Sequence, residues 1–168
     1  MKLSESLKHP LAISFSLAVL VVIAVIAGVF FVQRGAHLEL RGEILKVRTA
    51  PLDENNSVAV VDFRFLNPAD YEYNVLKVTV IIQQKSGMPL EGMTVSEVDA
   101  QHLFQALPLL GQKYNTSLIM RNRIPPRATQ DRMIAASFPI PEAALDMRSG
   151  ITVRVEEAEG TVSEMKGK

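Results

Sequence analysis

Three histidines, an acidic run and four arginines are the residues of this 168-residue chain most able to do chemistry. His9, His37 and His102 lie too far apart in sequence for any two to share metal-ligand spacing, so His102 reads as a solvated helix residue. Glu156, Glu157 and Glu159 could attract calcium, but the alternating Asp/Asn loop with a central glycine is missing, and a solvated hairpin turn is expected. No G-x-S-x-G, H-E-x-x-H or phosphate-loop motif occurs, and there is no cysteine to serve as nucleophile, thiolate ligand or disulfide partner. No constellation marks an enzyme, and no catalytic residue, cofactor or metal is expected. Arg121, Arg123, Arg127 and Arg132 cluster around IPPRATQ and form a candidate contact for anionic lipid headgroups or an acidic subunit. The plainer reading is an exposed strand face and turn, with Arg121 and Arg123 on one side by strand parity.

The formal net charge is zero, which gives no reason to expect nucleic acid. Apolar residues are concentrated at the start. Leu11 to Val32 reads LAISFSLAVLVVIAVIAGVFFV, without a charge. As a helix this stretch spans roughly 33 Å, enough for a hydrocarbon core of about 30 Å. Pro10 suits the first helical turn, where its missing N–H costs nothing. A cleaved signal peptide, cut before Gly28 with Val25 and Ala27 as the small residues, is the rival, but the apolar run is longer than such peptides carry. A buried core helix would need a polar face, which this run lacks. The small pairs Ala12/Ser16, Ser14/Ala18 and Ala24/Gly28, each four apart, suit close approach of a second membrane helix. Ala12, Ser16, Ala24 and Gly28 are therefore candidate helix-packing residues. The short tail MKLSESLKHP is placed in the cytoplasm and the long remainder outside, because long domains cross largely regardless of charge. The expected organisation is a tail over 1–10, a transmembrane helix over 11–33, a domain over 36–165 and a loose end over 166–168.

After the helix, hydrophobicity alternates with period two. His37 to Thr49 puts Leu38 and Leu40 on one face and, after a slip at Gly42, Leu45 and Val47. Ser57 to Leu66 directs Ala59, Val61, Phe63 and Phe65 to a core, with Asp62 and Arg64 facing away. Asn67-Pro68 then stops the strand. Proline cannot donate to a ladder, and the asparagine side chain accepts a backbone N–H two residues on. An Asn67→Ala change is expected to cost about 1 kcal/mol through that lost bond. Val75 to Gln83 buries Leu76, Val78, Val80 and Ile82, while Lys77 and Thr79 face out. KSGMPLEG is a turn and Met93 to Val98 a short strand. DAQHLFQAL is a short helix capped by Asp99, with Leu103, Phe104 and Leu107 inward. Strands follow at Asn115 to Ile124, Gln130 to Ile140, Ile151 to Glu156 and Thr161 to Met165, with a helical turn at PEAALDM and a loose EMKGK end. Seven or eight short strands without long linking helices predict an all-β fold. The expected form is an Ig-like or fibronectin-III-like antiparallel sandwich with short helical insertions.

The run VVDFRFLNPADYEYNVLKVTVII resembles the late embryogenesis abundant type 2, or water-stress hypersensitive, domain. The likeness lies in Phe65, Asn67, Pro68, Val78 and Val80, and in the later IPPRATQDRMIAASFPI, and covers about residues 38–157. The resemblance implies a β-sandwich with a non-catalytic role in stress protection or binding, and no active-site residues. The helical DAQHLFQAL insertion departs from that family's pattern. Function is accordingly expected to be that of a single-pass, anchored binding or scaffolding domain on the outer side of a cytoplasmic membrane, its partners the lipid bilayer and a membrane protein. The alternative is an accessory subunit of a respiratory or photosynthetic complex, held by its helix.

Overall fold

A computed structural model describes the backbone of residues 10–33 and 38–167 and the side chains of residues 13–29 and 38–167. Two compact units divide at His37. His9 and His37 lie outside the described residues, as does the tail expected over residues 1–9.

The first unit holds α1, Pro10–Gln33, a 24-residue helix without a charged side chain. Every described side chain on it is exposed, Phe15, Leu20 and Val25 among the large apolar ones. Among the described residues no helix is long and apolar enough to cross a membrane, the described side chains of α1 being those of 13–29 only.

The second unit is antiparallel β throughout its ladders. Its strands are β1 (Arg41–Pro51), β2 (Ser57–Leu66), β3 (Tyr73–Gln83), β4 (Pro89–Thr94), β5 (Arg123–Ile124), β6 (Thr129–Phe138), β7 (Gly150–Glu157) and β8 (Val162–Gly167). The helices α2 (Glu97–Ala106) and α3 (Glu142–Asp146) are insertions. The sheet runs β1-β2-β6-β4-β3-β7-β8, with β5 on β3. Its outer edges come together: the Leu40 N–H donates to Ser163 Oγ at 2.8 Å. The sheet is therefore nearly closed, which leaves little free strand edge. β2 and β3 do not pair, so the Asn67-Pro68 turn carries the chain to a strand three places along the sheet.

The interior is filled by alternate residues, among them Val61, Phe63, Phe65, Val80, Ile82, Ile134, Phe138 and Val153. A second cluster lies outside β2 and β6. There Val58, Val60, Met133 and Ala135 are covered by Ala100 of α2, Leu110 and their neighbours. β2 is thus buried on both faces, and Asp62, expected to face water, is only 5% exposed. Thr79, also expected outward, is buried.

Several boundaries differ from the sequence expectation for local reasons. The slip in β1 falls between Ile44 and Lys46 rather than at Gly42, so Ile44 packs on the core and Leu45 faces out. Gly42 itself serves a close approach: a Cβ there would lie 2.4 Å from the Arg64 carbonyl oxygen and 2.8 Å from Met165 Sδ. Gly42→Ala should therefore destabilise the domain by about 2–3 kcal/mol through overpacking, read as a lowered urea midpoint. A neutral result would mean that β1 and β8 do not close as described. Helix α2 begins three residues earlier than a cap at Asp99 would give. Ser96, not Asp99, is the N-cap: its Oγ accepts the Asp99 N–H at 3.1 Å and donates to the Asp99 carboxylate at 2.7 Å. The EMKGK end is not loose, because β8 pairs with β7 out to Gly167.

Tyr73, the first residue of β3, is fully buried, and its hydroxyl donates to the Val155 carbonyl of β7 at 3.2 Å. Burial pushes its pKa up to about 12, the Ser163 hydrogen bond opposing and the Glu157 charge adding. A folded-state pKa above the unfolded value near 10 gives stability that is complete below that pH and lost as pH climbs towards 12. Wild type should lose on the order of 2 kcal/mol more than Tyr73→Phe between those limits. Parallel alkaline limbs in denaturant titrations of the two proteins would contradict this.

Candidate binding cleft

The four arginines do not form one face. The expected strand over Asn115 to Ile124 is reduced to Arg123–Ile124. Asn122 breaks the rest: its Oδ1 accepts the Ile119 N–H at 2.9 Å while its own N–H donates to the Ile119 carbonyl at 3.1 Å. Arg121 therefore sits in a turn at φ 69°, and the parity argument for Arg121 with Arg123 fails. Arg127, at φ 57°, donates from Nε to Asp70 at 2.7 Å, and this hydrogen bond, with the guanidinium charge, holds the Asp70 carboxyl below its usual range. Arg123 lies 3.8 Å from Glu72. Arg132 donates to Gln130 Oε1 and to Thr116 Oγ1. Arg121 alone of the four makes no ion pair or side-chain hydrogen bond among the described residues.

The Asn67-Pro68 turn is as expected and more. Asn67 Oδ1 accepts the Ala69 N–H at 3.0 Å, and the two hydrogens of Nδ2 are shared among the carbonyls of Tyr71, Ile124 and Pro125 at 2.9, 3.2 and 3.1 Å. A fully buried amide thus ties the β2–β3 turn to the start of the β5–β6 loop. Pro68 is buried beside it.

On α1, the candidate packing residues Ser16, Ala24 and Gly28 are exposed, and a Cβ at Gly28 would meet nothing within 4 Å. The side chain of Ala12 lies outside the described residues. His102 is exposed on α2. Among the described residues no group of three or more histidines and carboxylates gathers closely enough to hold a metal ion.

The sequence reading missed two features. The first is a buried ion pair outside β1 and β2. Arg48 Nη2 donates to Asp62 Oδ2 at 2.6 Å, and Nη1 reaches the carbonyls of Leu110 and Gln112 at 2.6 and 2.8 Å. Asn115 Nδ2 donates to the other Asp62 oxygen at 3.0 Å, and the guanidinium lies 4.9 Å from the Phe104 ring centre. These bonds fasten the chain between α2 and β5 onto the sheet.

The second is a cleft where the sheet changes partner. The turn after β3 closes early, with Gly87 at φ 84°, so β4 spans Pro89–Thr94 instead of starting at Met93. β4 pairs with β3 only from Pro89 to Gly92, then leaves it to pair Met93 and Thr94 with β6. Gly92 stands at the departure, where a Cβ would lie 2.5 Å from the Phe138 ring. Further back along β3, its ladder with β7 is bulged between Val75 and Lys77, which turns Leu76 out of the core to 49% exposure. The two departures open a concavity of about 310 Å³ between Leu76–Val78, Thr94–Ser96 and Leu118–Met120, with Ile134 also lining it. Val78, Leu118 and Ile134 are buried, while Ile119 and Met120 are 37% and 57% exposed. A larger concavity, about 640 Å³ over β4, β3, β7 and β8, mixes apolar and charged lining and is crossed by Arg154–Glu164 and Lys166–Glu164 pairs at 2.8 and 3.1 Å. The smaller cleft is the better place for an apolar group, because apart from Lys77, Thr94 and Ser96 its lining is apolar and the exposed Leu76, Ile119 and Met120 gain by being covered. No family model, curated protein or solved structure matches the chain.

Proposed function

We propose that the chain is a membrane-anchored, non-catalytic binding module, with α1 in the bilayer and the β domain on the outer side of a cytoplasmic membrane. The observation that carries the binding role is the aliphatic cleft between β3, β4 and the loop before β5. What supports the anchor is a charge-free helix of 24 residues whose described side chains are exposed and mostly apolar, a surface that water disfavours on every side. At 1.5 Å per residue it measures about 36 Å, against a hydrocarbon core of about 30 Å. The finer fold reading, an Ig-like domain akin to the late embryogenesis abundant type 2 group, rests on Phe65, Asn67, Pro68, Val78 and Val80.

A second reading, an accessory subunit of a multi-subunit membrane complex, is favoured by the exposed small residues Ser16, Ala24 and Gly28. Mild detergent extraction and native sizing separate the two. A chain that binds transiently through its cleft runs at its own mass plus detergent. A subunit runs in a stoichiometric complex, from which Gly28→Leu should release it by closing the small-residue face. If the chain is recovered in the aqueous phase without detergent, both readings fail.

A further inference from the structure

The cleft has a backbone side as well as an apolar one. The Gln84 N–H donates to the Met88 carbonyl at 3.0 Å, which sets the parity of the β3 edge facing β4. Counting back by two, the groups pointing across that edge belong to Ile82, Val80 and Val78. Val80 is matched by Gly92. Beyond the bulge, Val75 is matched by Asn122, which accepts its N–H at 2.9 Å, and by Arg121, whose N–H donates to its carbonyl at 2.8 Å. Val78, between them, is in register with Val155 of β7 on its other side, but on the β4 side no described residue is in register with it, because Thr94 has gone to Ala136. Val78 is only 5% exposed, so its N–H and C=O would be costly to leave without partners. An acyl chain would cover Leu76, Ile119 and Met120 but offers neither a donor nor an acceptor. A polypeptide offers both, together with side chains at strand spacing. Of the cations nearby, Lys77 lines the cleft and shares an exposed 3.2 Å contact with Glu91, while Arg121, next in the chain to the lining residue Met120, has no ion pair among the described residues.

We propose, building on the binding-module reading, that this cleft takes a short extended peptide segment. Its backbone pairs with Val78, one aliphatic side chain enters between Leu76 and Met120, and an acidic residue follows on the Arg121 side. The test uses the full chain in lipid nanodiscs and an acetylated, amidated Thr-Val-Thr-Leu-Thr-Glu peptide. The methionine methyl resonances report binding. The Met120 methyl should shift saturably, Leu76→Glu should weaken binding at least tenfold, and Arg121→Glu about threefold or more. Leu76 and Arg121 are exposed, so both variants should keep the wild-type spectrum away from the cleft. The same peptide methylated on its central backbone nitrogens should bind at least tenfold more weakly. Equal binding of the methylated peptide would overturn strand pairing while leaving an apolar binding module in place. A Met120 shift with oleate but not with the peptide would overturn the peptide in favour of a lipid. Silence with both probes would remove the cleft as the binding site and the observation on which the proposed function rests.

Discussion

Asp62→Ala should destabilise the β domain by about 3–5 kcal/mol, the cost of removing one partner from a buried ion pair. The carboxylate receives Arg48 at 2.6 Å and Asn115 at 3.0 Å, and both charged side chains are under one-tenth exposed. Without it, the Arg48 guanidinium stays buried, held by the carbonyls of Leu110 and Gln112 and by the Phe104 ring but uncompensated in charge. The outer cluster of Val60, Met133 and Leu110 should loosen with it, so hydrogen exchange should rise first over residues 107–118. The double replacement Arg48→Met with Asp62→Leu should recover much of the loss, because an apolar pair of similar volume pays no desolvation of charge. Urea denaturation of the single and double variants checks both statements. A single variant within about 1 kcal/mol of wild type would mean that water reaches the pair.

Asn67→Ala is expected to cost about 3 kcal/mol, more than the turn bond alone suggests. One buried amide serves four backbone groups, the Ala69 N–H and the carbonyls of Tyr71, Ile124 and Pro125. Each buried group left unmatched costs about 1–3 kcal/mol, with relaxation and water recovering part of the sum. Asn67→Asp tests the donor side separately, since a carboxylate can still accept from Ala69 but cannot donate to three carbonyls. It should be at least as unstable as Asn67→Ala near neutral pH. A loss of only about 1 kcal/mol in both variants would reduce Asn67 to a local turn former.

The sequence made the all-β class legible because period-two alternation survives wherever one face meets the barrel interior. Phe63, Phe65, Ile134 and Phe138 lie where that period puts them. The second face was hidden for a physical reason. Outside β2 the covering layer is a short helix and a loop distant in sequence, and a strand's own alternation cannot reveal what will lie upon it. Asp62 looked solvated because its partner, Arg48, belongs to another strand. The cleft was illegible for the same kind of reason. It depends on where β4 changes partner, which follows from Gly92 against Phe138. The adjacent apolar pair Val75-Leu76 was the one local signal of the bulge beside it, since strict alternation allows only one of the two inside. Asn122, which ends the expected strand before β5, acts through a side-chain bond to Ile119 that composition does not announce.

The proposed anchoring and export of the β domain are tested most directly by translating the full chain in the presence of microsomes. Asn55-Asn56-Ser57 is a glycosylation acceptor motif, and Asn55 is exposed in the turn between β1 and β2. The account predicts a chain that stays in the membrane pellet through alkaline carbonate and carries an endoglycosidase-sensitive glycan, lost in Asn55→Gln unless the second motif, Asn115-Thr116-Ser117, is also used. A chain extracted by carbonate, or one retained but bearing no glycan at either motif, would contradict it.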